Sequence, residues 1–334
     1  MDSVDGPWSS KRIMEAARAF QVSHLILTAA ELDLFTALEG TPRSSAEASS
    51  ALGLDKRALD ILLHALVALG LLEDRDGGFV TPEGLSPILS SRSEESILPA
   101  LRHMASLWRR WGDLTGVVRR GSPEVASSWE ERPASEREAF IRAMHVMGRE
   151  LAPQVVSSIP LEGVRRVLDV GGASGTYAME FLRASGELSV TLFDLPTVIP
   201  MARDRLAKCG LLERVELVAG DFERDPLPPG HDLAFLSAVI HQNDRDQNRA
   251  LFRKVRDALV PGGRIVIRDH VMESSRNAPA AGALFAVNML VATKGGSTYT
   301  FEEIREDLEA SGFHGAQWAR RDERMGSLVV AVRT

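Results

Sequence analysis

Residues 166–175 read Arg-Val-Leu-Asp-Val-Gly-Gly-Ala-Ser-Gly. A short β-rich run, Val167–Val170, carries Asp169 and breaks at a glycine turn that closes with Gly175. Four similar runs follow: Val190–Phe193, Val215–Val218, Leu233–Leu236 and Ile265–Ile267, with helical patterns between them. Strands that alternate with helices predict an α/β domain, a parallel sheet wrapped on both faces. Ligands of such sheets bind beyond the C-terminal ends of the strands. The residues that close each strand therefore carry the information. The second run closes in Asp194 and Leu195-Pro196, and the third in Gly220-Asp221-Phe222. The fourth ends near Ser237 with His241 just beyond, and the fifth in Asp269-His270. Each strand brings a polar group to one rim.

The glycine turn is not a dinucleotide fingerprint. That motif needs glycine at positions one, three and six; from Gly171 those positions hold Gly171, Ala173 and Thr176. A phosphate-binding Walker loop is absent too. What remains is an acid followed by Gly171 and Gly172, which allow close backbone approach. Asp194 lies 25 positions after Asp169. An acid closing the second strand is the usual partner of ribose hydroxyls. Asp194 also reads as a cap for the helix that begins near Pro196, and Asp221 as a turn former. Three strand ends with acids, after a glycine turn, point to an adenosine-type ligand.

Upstream the pattern is helical. Residues 1–10 read as a loose tail. Lys11 to Leu38 is apolar on more than one face, and a helix apolar all round is buried, which in so small a domain implies a partner subunit. Ser44–Ala51 reads as a short helix, stopped by Gly53, with Asp55 capping the next. Leu59, Leu62, Leu63, Leu66 and Leu69 give that helix one buried face. Arg75-Asp76-Gly77-Gly78 reads as a hairpin tip, so residues 11–95 form a mostly α winged helix-turn-helix. Ser96–Gly121 and Ser135–Pro153 read as helices and make 96–156 a helical linker. The sheet domain is expected over 157–334, with its boundary near Ser157–Gly163.

The chain has 334 residues, 39 Lys and Arg against 46 Asp and Glu, and a net charge of −7. A lone cysteine, Cys209, forbids an internal disulfide and a cysteine metal cluster. No run approaches ~18 apolar residues, so none is expected to span a bilayer. The polar N-terminus does not read as a signal peptide, and a cytoplasmic location is expected. A winged helix can read DNA. Residues 11–95, however, hold eight Lys and Arg against thirteen Asp and Glu, the wrong sign for phosphate contacts. Neither nucleic acid nor membrane is an expected partner, and no metal site is expected.

Asp169-Val-Gly-Gly-Ala-Ser-Gly175, Phe193-Asp194-Leu195-Pro196, Gly220-Asp221-Phe222 and Pro261-Gly262-Gly263 together resemble the S-adenosylmethionine-dependent O-methyltransferases of the plant caffeate and acetylserotonin type, with their bacterial relatives. The likeness runs from about Arg12 to Val332 and includes the winged-helix domain, which that family uses to dimerise. It implies a Rossmann-like doubly wound sheet, S-adenosyl-L-methionine as cofactor, a homodimer, and a phenol or polyketide-like ring as acceptor. By the same likeness Gly171 and Gly172 lie under the amino-acid part of the cofactor. Asp194 and Leu195 meet the ribose, Asp221 and Phe222 hold the adenine, and Ser237 stands at a basic or polar cofactor contact. His241 stands at the catalytic base and Asp269 at the acid that orients it. Met144 and Met289 stand at positions lining the acceptor pocket.

The chain departs from the pattern in places. His241-Gln242-Asn243 replaces His-Asp-Trp, Ala173 replaces a common Gly, Asp269 replaces Glu, and Thr298 stands where a second flanking acid is usual. Adjacent residues on a strand point to opposite faces, so only one of Asp269 and His270 is expected to face the site, with His270 the second candidate for the base. Trp108, Trp111, Met144 and Met147 read equally as pocket wall for a flat ring or as ordinary core. C- or N-methylation, a non-methylating use of the sulfonium, and a DNA-binding regulator stand as alternatives, because fold alone does not fix function.

Overall fold

The computed structural model describes residues 7–124, 129 and 132–334. The first six residues of the expected tail, and six of the thirteen residues separating the two expected linker helices, lie outside the described residues. The chain divides into two compact units, Met1–Trp108 and Arg109–Thr334.

In the first unit Ser9 caps α1 (Ser10–Arg18) through its side chain. The long apolar stretch then divides into α2 (Phe20–Glu31) and α3 (Leu34–Ala37), parted by Asp33 in the left-handed region. α4 (Ser45–Leu52) opens on a capping box between Ser44 and Glu47 and ends at Gly53, whose φ of 66° suits a residue without Cβ. Asp55 caps α5 (Lys56–Ala68), which buries Leu59, Leu63 and Leu66. β1 (Glu73–Arg75) and β2 (Gly78–Val80) pair antiparallel around Asp76-Gly77. The short α6 (Ser86–Leu89) follows, and the core is Leu34, Phe35, Leu38, Leu63, Leu66 and Leu98 with their neighbours. α1 buries nothing, and Trp8, Ile13, Met14 and Phe20 are exposed.

The division falls inside α7 (Leu98–Trp111). α8 (Leu114–Arg120), α9 (Ala134–Gly148) and α10 (Ala152–Ser157) belong to the second unit. The boundary is thus not near Ser157–Gly163 as the helical patterns suggested. Ala152, Val155, Val156 and Ile159 share one buried cluster with Tyr177, Phe181 and the sheet, so α10 is part of the sheet domain's core.

That sheet is built from β3 (Arg166–Val170), β4 (Ser189–Asp194), β5 (Val215–Ala219), β6 (His231–Ser237) and β7 (Leu259–Asp269). These alternate with α11 (Thr176–Ala184), α12 (Ile199–Lys208) and α13 (Arg245–Ala258). After β8 (Val271–Met272), α14 (Ala280–Ala292), β9 (Tyr299–Thr300) and α15 (Phe301–Glu309), an antiparallel pair closes one edge: β10 (Phe313–Arg320) and β11 (Ser327–Arg333). Among the described residues the sheet has seven strands in the order β10-β11-β7-β6-β3-β4-β5. β3 to β7 are parallel and β11 runs antiparallel to β7. One buried cluster fills the α10–α11 face and another the α13–α15 face. This is the doubly wound α/β sheet the strand pattern predicts.

Candidate active site

The glycine turn follows β3 directly. Gly171, Ala173 and Gly175 all take positive φ, at 70°, 49° and 82°. A Cβ on Gly172 would lie 2.7 Å from Leu192 Cγ and 2.8 Å from Asp169 Oδ2, so only glycine fits. A Cβ on Gly171 would press toward Val239 and Phe222. The turn thus leaves a cradle walled by Phe222. Asp194, at the end of β4, locks it: Oδ2 accepts from the Ala173 amide and Oδ1 from the Leu195 amide, both at 2.7 Å. Burial pushes the Asp194 carboxyl up to about 6. Asp169 is fully enclosed, and its Oδ2 has no hydrogen-bond partner. Burial, and then the charge of Asp194, raise it to about 7. Orphaned buried carboxylates are rare.

Asp221 is bound up locally. Its Oδ1 accepts from the Glu223 amide at 2.9 Å, and Arg224 lies 3.5 Å from its Oδ2. Its turn-forming reading therefore holds. Ser237 accepts from Arg268 Nη1 at 2.8 Å, a partner that sequence reasoning did not supply.

His241 sits on a 3-10 turn, Ile240–Gln242, just after β6. Its Nδ1 lies 2.9 Å from both oxygens of Asp269. Asp269 is buried, and its Oδ1 also accepts from the His270 amide at 2.8 Å. The turn is braced from below. Asn248 donates to the Ile240 carbonyl and accepts from Asn243, Tyr299 donates to the Asn243 carbonyl, and Asp244 with Gln247 forms the capping box of α13. Asn243, one of the departures, is thus a buried strut. Thr298 is buried, and its carbonyl takes Arg276.

β7 ends at Asp269, and the imidazoles of His241 and His270 reach one phenyl ring. Phe285 lies edge-on to His241 at 4.8 Å between centroids, and 4.7 Å from His270. His270 is buried with Nδ1 unpartnered, and burial lowers its basicity. Phe285 was not foreseen. It precedes Met289 by four residues on α14, the spacing of one helix face, and that was the available signal.

The expected acceptor-pocket residues scatter. Met289 is buried on α14 and Met144 half-buried on α9, while Met147 is 53% exposed. Trp108 belongs to the first unit, where its ring stacks on His24. Trp111 Nε1 donates to Asn288 on α14 at 3.1 Å. His145 on α9 bonds Thr176 at 2.9 Å, and burial with nearby Arg205 and Arg149 lowers it to about 4. Among the described residues no group of three His, Cys, Asp or Glu side chains could hold a metal ion, and no helix is long and apolar enough to cross a membrane.

Comparison with known proteins agrees with this geometry. Residues 111–314 match the O-methyltransferase domain, and residues 14–89 the O-methyltransferase dimerisation domain. The chain is 36% identical over 295 residues to a 3-hydroxy-5-methyl-1-naphthoate 3-O-methyltransferase of Streptomyces sahachiroi, covering 86% of this chain and 84% of that one. It is 29% identical to the tetracenomycin polyketide synthesis 8-O-methyl transferase of Streptomyces glaucescens, over 90% of each chain. The human N-acetylserotonin methyltransferase, solved in complex with S-adenosylmethionine, superposes with a TM-score of 0.83 at 25% identity over 99% of both chains.

Proposed function

The chain belongs to the O-methyltransferase family and is an S-adenosylmethionine-dependent O-methyltransferase, and from that premise we propose that it methylates a phenolic hydroxyl of a flat aromatic or polyketide-like acceptor, with His241 as general base. The observation that carries this is the His241–Asp269 pair. Nδ1 of the imidazole faces both oxygens of a buried carboxylate at 2.9 Å, so Nδ1 carries the proton and Nε2 is left to accept one. The substrates named for the relatives, a hydroxynaphthoate and a tetracenomycin polyketide, support the acceptor class.

When bound, S-adenosylmethionine supplies a methyl group on a sulfonium, open to in-line displacement. The residues present fit it: a turn that admits no Cβ at Gly172, and an enclosed carboxylate oxygen without a partner. In our reading Gly171 and Gly172 lie under its amino-acid end, and Asp169 faces its ammonium. Asp194 and Leu195 meet the ribose, with Asp194 accepting from its hydroxyls. Asp221 and Phe222 hold the adenine, and Ser237 contributes a polar contact. Met144, Met289 and Phe285 line the acceptor. Met147, on α9 of the same unit, stays in the proposed acceptor region.

The proton sets the task of His241. A phenol has pKa ~10 and a free imidazole ~6.5, so complete transfer beforehand is uphill by about 4.8 kcal/mol. Asp269 holds the ring in the accepting tautomer and sets a negative charge against it as the proton arrives. General-base help of this kind is worth about 10²- to 10⁴-fold, and alignment of acceptor oxygen with the methyl carbon about 7–11 kcal/mol more. The family's dimerisation domain, and the apolar residues exposed on α1 and α2, support a homodimer. A cytoplasmic enzyme that binds neither nucleic acid nor membrane is part of the same proposal, on the acidic balance of residues 11–95 and the single exposed Cys209. Incubation with methyl-labelled cofactor and a panel of phenols tests the reading. Label on a phenolic oxygen is the expected result; tight cofactor binding with no transfer, or label on carbon or nitrogen, contradicts it.

A further inference from the structure

Arg268 is the next-to-last residue of β7 and only 7% exposed. Nη1 donates to Ser237, the guanidinium carbon lies 5.1 Å over the ring of Tyr177, and Nε is enclosed without an acceptor. Among the described residues no carboxylate forms an ion pair with it. A buried cation left unneutralised is strongly unfavourable, so the position calls for an anion.

The sheet register says where that anion would lie. Arg268 pairs with Ser237. Ser237 is one step beyond Leu236, which pairs with Val170, so this row is level with Gly171. Val167, Leu233, Phe235 and Val266 all face the cluster that holds Tyr177. Two-residue alternation carries that face to Asp169, Ser237 and Arg268. An enclosed acid and an enclosed guanidinium therefore stand on one sheet face beside one glycine turn, each with an unpartnered atom and not bridged to each other. The nine-residue α11 begins at the same turn and adds the positive end of its dipole.

An α-amino acid is a zwitterion, and the two orphans match its two charges. We propose that Arg268 binds the α-carboxylate of the cofactor's amino-acid end, reaching the site from the neighbouring strand through the Ser237 hydroxyl. Ser237, at the position where the family likeness implies a basic or polar contact, carries no charge of its own; Arg268 provides it. This rests on the reading that the glycine turn holds the cofactor.

Calorimetry on the ligand-free protein separates the two ideas. The probes are S-adenosylhomocysteine, its decarboxylated analogue, and 5′-methylthioadenosine, which lacks the amino-acid end. Wild type should bind S-adenosylhomocysteine about 10- to 100-fold tighter than the decarboxylated analogue, the range for a hydrogen bond to a charged group. Arg268→Met should abolish that preference and Arg268→Lys restore much of it. Methylthioadenosine affinity should stay within about 2-fold throughout. If Arg268→Met does not fold, the wild type and Arg268→Lys still decide. Equal binding of both homocysteine analogues by wild type overturns the proposal. So does an equal loss of methylthioadenosine and S-adenosylhomocysteine in the variants, which would mark Arg268 as a packing residue. Wild type that takes up no methylthioadenosine overturns the cofactor site itself, and this inference with it.

Discussion

Asp269→Asn isolates the role of the carboxylate beneath His241. The substitution keeps size and shape in a buried position, yet replaces one acceptor oxygen with a donor. Both oxygens of Asp269 now lie 2.9 Å from His241 Nδ1, and one also takes the His270 amide. The His270 amide continues to need an acceptor, so the new amide oxygen stays with it and the NH₂ turns toward Nδ1. That arrangement favours the imidazole tautomer with its proton on Nε2, where it can no longer accept from the acceptor. The lost base help corresponds to a fall in kcat of about 10²- to 10⁴-fold, or about 2.7–5.4 kcal/mol at 1.36 kcal/mol per decade. KM for the acceptor should change little, because Asp269 is enclosed. The discriminating assay is kcat against acceptor acidity and pH at saturating cofactor. An acceptor already ionised needs no base. The deficit should therefore shrink with acceptors of lower pKa, and for an ordinary phenol as pH rises toward ~10. A deficit that stays constant across acceptors and pH, or no deficit at all, refutes the reasoning.

Three other outcomes are expected. Gly172→Ala sets a Cβ 2.7 Å from Leu192 and 2.8 Å from the Asp169 carboxylate; it should lower stability by about 1–3 kcal/mol and abolish S-adenosylhomocysteine uptake, read by thermal melting with and without ligand. Asp169, raised to about 7 by burial, is mostly protonated in the ligand-free protein at pH 6, and a bound ammonium requires it ionised. Binding should accordingly release protons near pH 6.5 and strengthen from pH 5 toward 8, as calorimetry in two buffers of different ionisation heat will record; affinity flat over that window counts against the assignment. In the ligand-free fold the same acid favours its protonated form, so its contribution to stability is full below the unfolded value near 3.8 and is lost as pH rises through about 7. Met14→Glu on α1, where nothing is buried within the chain, should leave the fold intact and halve the mass seen by light scattering; an unchanged dimer mass places the interface elsewhere.

The sheet was legible because each parallel strand is a short apolar run closed by a polar residue. Val167–Val170 and Val190–Phe193 sit within a residue of β3 and β4. The capping residues Ser44, Asp55 and Asp244 act locally, through bonds to an amide three positions on, and local sequence suffices to find them. The His241–Asp269 pair spans 28 positions. No local pattern connects such residues, and only the family likeness put them together. The helical reading of Ser135–Pro153 matches α9 and stops as α10 begins, so the packing of α10 on the sheet went unseen and the domain boundary was set too late. Leu328–Ala331 in β11 is a readable apolar run. β10 is not, because His314, Gly315 and Gln317 interrupt it and its register with β11 shifts twice.

The last two residues of β7 divide the site's work between them. Arg268 turns toward α11 and the glycine turn, and Asp269 toward His241. Their opposite directions follow from the pleat alone, so a slip of β7 by one residue would exchange a cation for an anion on both sides of the sheet. The register is held from both flanks. On one side Leu233 to Ser237 pair in parallel with Arg264 to Arg268. On the other, Ser327 to Val332 pair antiparallel with Asp269 back to Arg264. β11 therefore does more than cover an edge that would otherwise be open to pairing. It fixes which of two oppositely charged neighbours faces α11 and which faces His241, and under the proposed assignments this gives β11 a part in the chemistry.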